Sequence, residues 1–540
     1  MRALYTFILL FLIASAAIAQ NAQMRLSEYF QIKNGKGFFI PVHGDSTGYY
    51  ALTCDTFEVY QASANTDYIV AHKLHNKLFS KKYIFGESES VQLDEIFSNL
   101  KPREIAKQKL YLIKFDTSMK FLWKKEVSYR TDYYLVNIIP TDDKMYFFFK
   151  TWNKNKKASA LYYTYLKTRS SLSSKYIQID TIKLKNKNWE EGSFKVSAND
   201  DYSRIVTYNL LPDGHYKAGV YNVTMFNKEM KQLWKRQIDF DFPGNYYSFS
   251  KVLINDNKAF FLAKVKKKYS DPYAYAIYVV GRGNDENKML YIPILNAQVI
   301  TGMDMQFDEE GNILLTGFYS HGSYETPLGV FTAKFSTNDQ DIGDFNTHDF
   351  TSEDDDKSGD KNFAGLHFRN FYMNKNGTQT IVAEYYGLQK FETNFPLKYD
   401  KRGNYPYQNL KNCVLSYGDV VVMQIDKEAN IQWIDAIDKK AISGSGVEAS
   451  YASVMYNDVM YVLYNESAKN SQGDPQLNGV GNAFMNTIDL NGEMKQHTLF
   501  NTEETGVLLL PKLHYYQDDD EVLLFLYKKQ KYKLGIVKLG

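Results

Sequence analysis

Cysteine is scarce in this sequence, and its scarcity excludes several classes of protein at once. Only Cys54 and Cys413 occur among 540 residues. Two cysteines so far apart exclude a disulfide-rich scaffold and any zinc site built on closely spaced cysteines. We expect these two residues to be unpaired, because we place them in different structural units.

The sequence also lacks a charge imbalance and a long apolar run beyond its N-terminus. The formal net charge is only +2, which gives no electrostatic footprint for nucleic acid. No later stretch is apolar over the ~20 residues that a membrane-spanning helix needs. We therefore predict neither a nucleic-acid partner nor a transmembrane segment in the mature chain.

Signatures of catalysis and of cofactor binding are equally scarce. No Gly-x-Ser-x-Gly elbow and no His-Glu-x-x-His helix is present. Gly281-Arg282-Gly283 is followed by no helical pattern, so it indicates a turn rather than a dinucleotide site. The sequence therefore predicts no catalytic residue and no bound organic cofactor.

What is present begins with a targeting segment, residues 1–19. Arg2 supplies the positive start, Leu4–Ile13 the apolar stretch, and Ala17-Ile18-Ala19 a small-residue cleavage site. No cysteine follows the apolar stretch, so no lipid anchor is predicted. We expect a protein exported by a signal peptide, periplasmic or extracellular, whose mature chain is residues 20–540.

One phrase recurs along the mature chain, with its clearest copy at Val220–Ile238. Apolar and polar residues alternate, a polar turn follows at Asn227, and a second strand carries Trp234 seven residues after that turn. The phrase returns at Leu110–Val127 and at Val420–Ile434. Such a hairpin is at best marginally stable alone and has to stack on copies of itself.

A second phrase, two apolar runs around an acidic or amide turn, completes each unit with another hairpin. It occurs at Tyr133–Phe149, Phe194–Tyr208, Phe249–Ala263, Met303–Gly317, Phe371–Glu384, Tyr451–Tyr464 and Leu513–Tyr527. Trp123 and Trp234 are separated by two units of about 55 residues each, close to the ~50-residue period of kelch-type blades. We predict an all-β fold, a single β-propeller of eight, or seven, four-stranded blades.

Three segments interrupt the repeats. Residues 90–108 show helical spacing of apolar residues and predict a small helical insertion near the N-terminus. Residues 341–362 and 389–412 are polar and irregular, and we predict that both are long loops. The C-terminal strand Leu534–Leu539 is too short to complete a blade, so we expect an N-terminal strand within Gly37–Val42 to close the ring beside it.

The second phrase also resembles a known group of proteins. Phe307-Asp308-Glu309-Glu310-Gly311-Asn312-Ile313-Leu314-Leu315-Thr316-Gly317, with the next strand Gly329–Phe335 and the hairpin Val420–Lys440, is similar to blade repeats of secreted bacterial β-propellers of the Bacteroidota type. The resemblance implies the fold and export, and no particular reaction. Kelch Gly-Gly pairs, Trp-Asp repeat ends and the Asp box of sialidases are missing.

One motif has the composition of a metal site. Asp354, Asp356, Ser358 and Asp360 place oxygen atoms at alternate positions, and Gly359 allows the sharp turn of a calcium loop. The closing glutamate is absent, because Gly365 stands at the twelfth position. The alternative is an acidic loop that is simply exposed to solvent.

Repeats without a catalytic motif favour a non-catalytic binding or scaffold module of the cell envelope, with a protein or a saccharide as partner. The first alternative is a carbohydrate-binding or carbohydrate-active propeller, because the 44 Tyr and 35 Phe could stack on sugar rings. Packing of these rings between sheets is the competing explanation. The second alternative is a subunit of an envelope secretion or motility assembly.

Overall fold

The structure is a computed structural model. It describes residues 24–27, 30–31, 38–54, 110–127, 133–153, 158–167, 173, 175–183, 193–210, 218–243, 247–265, 274–283, 287–293, 298–321, 326–351, 354, 363–396, 407–439, 441–443, 449–469, 475–512, 514–517, 520–528 and 531–540. The predicted signal peptide, residues 1–19, and the predicted helical insertion, residues 90–108, lie outside these ranges.

The described strands form eight sheets, which are the blades of a propeller ring and confirm the predicted fold class. The first four blades contain, in chain order, β3 (Phe38–Asp45), β4 (Gly48–Cys54), β5 (Leu110–Phe115) and β6 (Phe121–Glu126); β7 (Tyr133–Pro140), β8 (Lys144–Asn153), β9 (Ala158–Lys167) and β10 (Ile177–Lys183); β11 (Ser193–Ala198), β12 (Arg204–Leu210), β13 (Ala218–Asn227) and β14 (Gln232–Pro243); β15 (Tyr247–Ile254), β16 (Ala259–Val265), β17 (Ala274–Val280) and β18 (Lys288–Tyr291).

The remaining four blades follow the same antiparallel order. They contain β19 (Gln298–Phe307), β20 (Ile313–His321), β21 (Gly329–Ser336) and β22 (Asp341–Asp349); β23 (Leu366–Met373), β24 (Gln379–Pro396), β25 (Tyr407–Ile425), β26 (Ile431–Ile437) and the short β27 (Ala441–Ser443); β28 (Tyr451–Tyr456), β29 (Val459–Lys469), β30 (Pro475–Ile488) and β31 (Met494–Phe500); β32 (Leu508–Leu509), β33 (Tyr515–Gln517), β34 (Glu521–Lys528), β35 (Lys531–Lys538), β1 (Met24–Leu26) and β2 (Phe30–Gln31). A four-residue helix, α1 (Thr502–Thr505), precedes β32.

The hydrophobic core lies in eight seams, each between two neighbouring blades, and the last seam joins blade 8 back to blade 1. Strand β16 shows how the sequence encodes this. Ala259 and Phe261 face blade 3, whereas Phe260 and Leu262 face blade 5. Because alternate side chains point to opposite faces, a strand that is buried on both faces is an unbroken apolar run.

The ring is closed by the N-terminal strand β1, which pairs antiparallel with β35. The prediction of a closing strand within Gly37–Val42 is wrong, since Phe38–Asp45 is the innermost strand of blade 1. The reason is local: a turn at residues 46–47 folds this segment directly onto β4. Arg25 in β1 also donates to the carbonyl of Thr117 at 2.8 Å and forms an ion pair with Glu521.

Two other predictions about local structure need correction. Residues 341–349 of the predicted 341–362 loop form strand β22, where Ile342 and Phe345 pack on a seam despite the polar surroundings. Most of the predicted 389–412 loop belongs to the long strands β24 and β25. The two cysteines belong to strands of different blades, Cys54 to β4 of blade 1 and Cys413 to β25 of blade 6.

The recurring hairpin turn is stabilised by the side chain of its first residue. Oδ1 of Asp426 accepts hydrogen bonds from the backbone N–H groups of Glu428 and Asn430 at 3.0 and 2.8 Å. Ala429 then adopts φ 67°, in the left-handed region. Asp116 and Asn227 accept the same bond from the residue four positions on, so the sequence phrase specifies one turn.

The tryptophan of the phrase donates a hydrogen bond to the next blade in two copies. Nε1 of Trp433 donates to the carbonyl of Leu490 in blade 7 at 2.9 Å, and Nε1 of Trp234 donates to that of Asn257 in blade 4 at 3.1 Å. Gly492, at φ 82°, leaves room for the Trp433 ring, because a Cβ there would lie 3.0 Å from it. Within the described part of the chain, Trp123 donates no such bond.

We predict that Trp433→Phe lowers the free energy of unfolding by about 1 kcal/mol more than Trp123→Phe does, because the Trp433 indole donates a hydrogen bond to the next blade and the Trp123 indole donates none among the described residues. Urea unfolding followed by circular dichroism measures both variants. Trp123→Phe is the matched control for the change in ring size, since both indoles are half-buried. Equal losses in the two variants would contradict the role of the indole N–H.

We also predict that a chain beginning at Ser27 is less stable than a chain beginning at Met24. The shorter chain lacks the three residue pairs between β1 and β35, a loss on the order of 2 kcal/mol. It also leaves the edge of β35 open to another molecule. Thermal unfolding and size-exclusion chromatography check this. Identical melting and a monomeric elution for both chains would show that β1 does not close the ring.

Candidate functional site

The two ends of the ring differ in the connections they carry. In an antiparallel four-stranded blade, the first and third connections turn at one end, while the second connection and the link to the next blade turn at the other. The first and third connections are mostly tight turns, such as residues 46–47 and 457–458. The longest connection, residues 55–109 between β4 and β5, is a second connection. We call these ends the short-turn end and the long-connection end.

The strand ends that flank all three interruptions of the repeats lie at the long-connection end. Residues 90–108 lie within the β4–β5 connection, residues 350–362 link β22 to β23, and residues 397–406 join β24 to β25. Loops that project from a rigid scaffold are where proteins usually place their binding residues. The long-connection end is therefore the candidate functional surface.

A two-stranded ribbon projects from blade 6 at this end. Strands β24 and β25 remain paired from Gly387 and Ser416 to Pro396 and Tyr407, beyond the pairing of β24 with β23. We call residues 387–396 with 407–416 the blade 6 ribbon. Short strand β27 pairs with its base through Leu415–Tyr417. The base of the ribbon is therefore held by a third strand.

The base of the ribbon also contains a buried cluster of charges. Oε1 of Glu384 accepts a hydrogen bond from Nζ of Lys439 at 2.8 Å, and Oε2 accepts one from Nη2 of Arg369 at 2.9 Å. Ser450 also donates to Oε2 at 3.1 Å. The side chains of Glu384 and Lys439 are both 0% exposed. A buried carboxylate is tolerated only when it is paired and hydrogen-bonded in this way.

Backbone features bring these three charges together from different strands. Glu384 lies near the end of β24, and Lys439 follows the outer strand β26. Arg369 is the extra residue of a β-bulge in the innermost strand β23, between Phe368 and Asn370. A bulge redirects a side chain. Lys439 also donates to the carbonyl of Ala449, so its ammonium group holds both ends of the segment that contains β27.

Aromatic rings and a histidine cover the cluster. The rings of Tyr386 and Tyr417 lie 5.1 Å apart, and the Arg369 guanidinium lies 5.5 Å from the Tyr386 ring centre. Nζ of Lys439 lies 5.5 Å from the ring centre of Tyr417, and His367 meets Tyr386 edge-on at 5.6 Å. Cations over aromatic faces contribute favourable electrostatic energy. The arrangement is a rigid platform with His367, Arg369 and Tyr386 at its partly exposed edge.

His367 and Tyr386, at the edge of this platform, both have shifted pKa values. Burial, followed by the charge of Arg369, lowers the pKa of His367 to about 4. Burial raises the pKa of Tyr386 to about 12. Both groups are therefore neutral at neutral pH. General acid–base catalysis works best with a pKa near the operating pH, and neither of these two pKa values lies near 7.

Of the four predicted calcium ligands, the structure describes Asp354. The carboxylate of Asp354 is buried and accepts hydrogen bonds from N–H and Oγ1 of Thr351 at 2.8 and 2.7 Å. Asp356, Ser358 and Asp360 lie outside the described residues. Across the described ranges, no three His, Cys, Asp or Glu side chains converge as a metal site. The calcium site stays a prediction.

Sequence reasoning missed the Glu384 cluster, although one signal was present. Glu384 ends the apolar run Ile381-Val382-Ala383, where a charge on a strand buried on both faces demands a partner. Nothing in the sequence identifies the partners, because Arg369 and Lys439 look like ordinary surface residues. Their roles depend on the bulge and on the link to the next blade.

No helix among the described residues has the length and the apolar character that a membrane span requires.

The comparisons with known proteins assign no chemistry to this chain. No known protein family and no curated protein matches the sequence. Similar solved structures include the polysaccharide lyase Uly1, with a TM-score of 0.38 and 9% identity over 75% of this chain and 89% of that one. They also include the acylaminoacyl peptidase of Pyrococcus horikoshii, with a TM-score of 0.35 and 10% identity over 94% of this chain and 58% of that one. The sialidase of Trypanosoma rangeli has a TM-score of 0.29 and 11% identity over 64% of this chain and 54% of its own.

We predict that Glu384→Gln lowers the free energy of unfolding at pH 7 by about 3–5 kcal/mol, because it leaves Lys439 and Arg369 buried beside a neutral group. Burial alone would raise the pKa of Glu384, but the charges of Lys439 and Arg369 outweigh it and hold the pKa below its ordinary value. The stabilisation is therefore fully present above about pH 4.3 and is lost as the pH falls through the folded-state pKa.

Urea unfolding at pH 7 and at progressively lower pH measures this difference between wild type and Glu384→Gln. Glu428→Gln is the control, since that glutamate is 54% exposed and should change stability little at any pH. A stability gap for Glu384→Gln that stays constant down to pH 2 would contradict the assignment of Glu384 as the ionised partner.

Proposed function

We propose that this protein is an exported, non-catalytic β-propeller of the cell envelope, of the secreted bacterial type that its blade repeats resemble. It binds a protein partner through the long-connection end of its ring. Export rests on the signal-peptide pattern of residues 1–19. The binding role rests on the ring and on what its long-connection end carries.

The observation that carries the proposal is that the strand ends flanking every interruption of the repeats lie at one end of the ring. The β4–β5 connection belongs to blade 1, the β22–β23 link joins blade 5 to blade 6, and the ribbon extends from blade 6, yet the strand ends from which they start lie at the same end of the ring. The opposite end consists mainly of tight turns. This asymmetry is expected if one face of the ring recognises a partner while the ring itself acts as a rigid support.

The blade 6 ribbon favours a protein partner. Beyond Tyr386, β24 pairs with β25 alone within the described part of the chain, so one of its edges presents backbone N–H and C=O groups. Such an edge is a template for an extended segment of another protein, which adds to the sheet by backbone hydrogen bonds. The braced base at β27 and Lys439 holds that edge in a fixed position.

The buried aromatic residues lie between blades, which argues against a sugar that stacks on them along the strands. The largest fully buried side chains are all tyrosines and phenylalanines, among them Phe147, Phe261 and Phe318. Each of these three belongs to a seam between blades. These buried aromatic side chains are thus used for packing between blades.

We predict that replacing residues 387–416 by Asn-Gly abolishes capture of the partner and leaves the ring folded. Tyr386 and Tyr417 are directly opposed, so a two-residue turn can join them. Tagged wild type and this variant are incubated with a detergent-solubilised envelope fraction of the source cell, and captured proteins are identified by mass spectrometry. The result expected is at least one protein retained by wild type and lost with the ribbon.

The control is Glu309→Gln, an exposed change in a tight turn of the short-turn end, which should capture the same protein. A partner retained equally by the variant without the ribbon would refute the assignment of this surface. Co-purification with a large membrane assembly would place the protein as a subunit of secretion or motility machinery, and turnover of a polysaccharide by the purified protein would overturn the non-catalytic role.

A further inference from the structure

A cleft of about 380 Å³ opens at the short-turn end, away from the proposed partner surface. Turns of three consecutive blades form it: the turn after β3 in blade 1, the turn between β7 and β8 in blade 2, and the turn between β11 and β12 in blade 3. Its size falls within the range of about 300–1,000 Å³ that small-molecule sites occupy. Because tight turns on packed blades form its walls, the cleft is preformed.

The blade 1 wall is a chain of hydrogen bonds with a fixed direction. Nζ of Lys114, which is only 5% exposed, donates to the Tyr50 hydroxyl at 2.7 Å. The Tyr50 hydroxyl then donates to Oδ2 of Asp45 at 3.1 Å. An ammonium group has no lone pair, so it can only donate, and the Tyr50 hydrogen is committed to Asp45. At the cleft this chain of hydrogen bonds therefore ends on the Asp45 carboxylate, which is an acceptor.

Asp45 is held in place by its own turn. Its Oδ1 accepts hydrogen bonds from N–H and Oγ1 of Thr47 at 2.7 and 2.6 Å. Burial alone would raise the pKa of Asp45, but the bonds from Thr47 and the charge of Lys114 outweigh it and leave the pKa below its ordinary value. The carboxylate is consequently ionised and oriented at neutral pH.

The other walls continue the same pattern. Asp142 of blade 2 and Asp200 and Asp201 of blade 3 also line the cleft, and Oδ1 of Asp201 is fixed by the N–H of Ser203 at 3.0 Å. The one lysine of the lining, Lys144, has its ammonium group 5.4 Å from the ring centre of Tyr165. Four carboxylates therefore line the cleft, and a ligand that brings hydrogen-bond donors complements them.

The charges around the cleft exclude anions without demanding a cation. Four carboxylates repel a phosphate, a sulfate or a uronate. Nζ of Lys114 lies 4.0 Å from Oδ1 of Asp45, and Nζ of Lys228 lies 3.4 Å from Oδ2 of Asp142. These lysines partly neutralise the charges of Asp45 and Asp142. An uncharged ligand rich in hydroxyl groups satisfies the acceptors at the lowest desolvation cost.

Aromatic surface completes the complementarity. On the blade 1 side the partly exposed His43 ring stacks on the buried Tyr50 ring with centres 5.9 Å apart, and the partly exposed Tyr202 lines the blade 3 side. Planar rings suit the C–H face of a sugar, while the carboxylates suit its hydroxyl groups. We propose that this cleft is a second binding site, independent of the long-connection end, and that it takes a neutral sugar.

Saturation-transfer NMR and isothermal titration calorimetry test this with the full-length mature protein and a panel of glucose, galactose, mannose, N-acetylglucosamine, cellobiose and maltose. Glucuronic acid is the charged counterpart of glucose. We expect at least one neutral sugar to bind, and glucuronic acid to bind at least about tenfold more weakly than glucose or not at all.

Asp45→Asn and Tyr202→Ser alter opposite walls, and each should weaken binding of that sugar about tenfold, the effect of one hydrogen bond to a charged group or of one stacking face. Glu309→Gln, in the corresponding turn of blade 5, should bind as wild type does. Thermal melting verifies that each variant is folded, and Tyr202→Ser decides the matter if Asp45→Asn does not fold.

Three outcomes would overturn the proposal: no neutral sugar of the panel binds at millimolar concentration, glucuronic acid binds as tightly as glucose, or both cleft variants bind like wild type. None of these results bears on partner capture by the blade 6 ribbon. The two assignments therefore stand or fall separately.

Discussion

Burial of two apolar faces per blade is the constraint on which the rest of this structure depends. A strand such as β16 has phenylalanine on both faces, with Phe260 in one seam and Phe261 in the next. No single sheet can hide both faces, so every blade needs a neighbour on each side. A closed ring is the arrangement that supplies both neighbours to every blade. The seam between blades 8 and 1, where Phe525 meets Phe115, has the same character as the others.

A ring held by its seams leaves the ends of the strands free to vary. Blade 6 uses this freedom by extending β24 and β25 far beyond the seam. The extension carries an energetic risk, because Glu384 lies where the apolar seam ends. Pairing with Arg369 and Lys439 offsets the desolvation of the carboxylate, and the bulge at Arg369 makes the pairing geometrically attainable. A buried ion-pair cluster thus lies beneath the blade 6 ribbon.

The sequence predicted those parts of the fold that are encoded locally. The turn at Asp426 and the tryptophan at Trp433 lie within one hairpin, and both were identified from spacing alone. The closing strand was misplaced because Met24–Leu26 is three residues long and has no pattern of its own; its partner is at the other end of the chain. The strand Asp341–Asp349 was missed because it is an outer strand, largely exposed to solvent, with few apolar residues. Glu384 was missed because its partners come from separate strands.

The same distinction explains how the two binding surfaces that we propose can coexist on one ring. At the short-turn end, side chains are fixed by bonds within a turn or to the adjacent strand, as Asp45 is by Thr47 and Tyr50. Such a site is small and rigid, and suits a small ligand. At the long-connection end, backbone extends past the seams and can present an edge of many residues, which suits a polymer chain. Each surface is braced by its own blades, and the seams between blades 3 and 6 separate the two foundations. The geometry of either surface is therefore set without reference to the other.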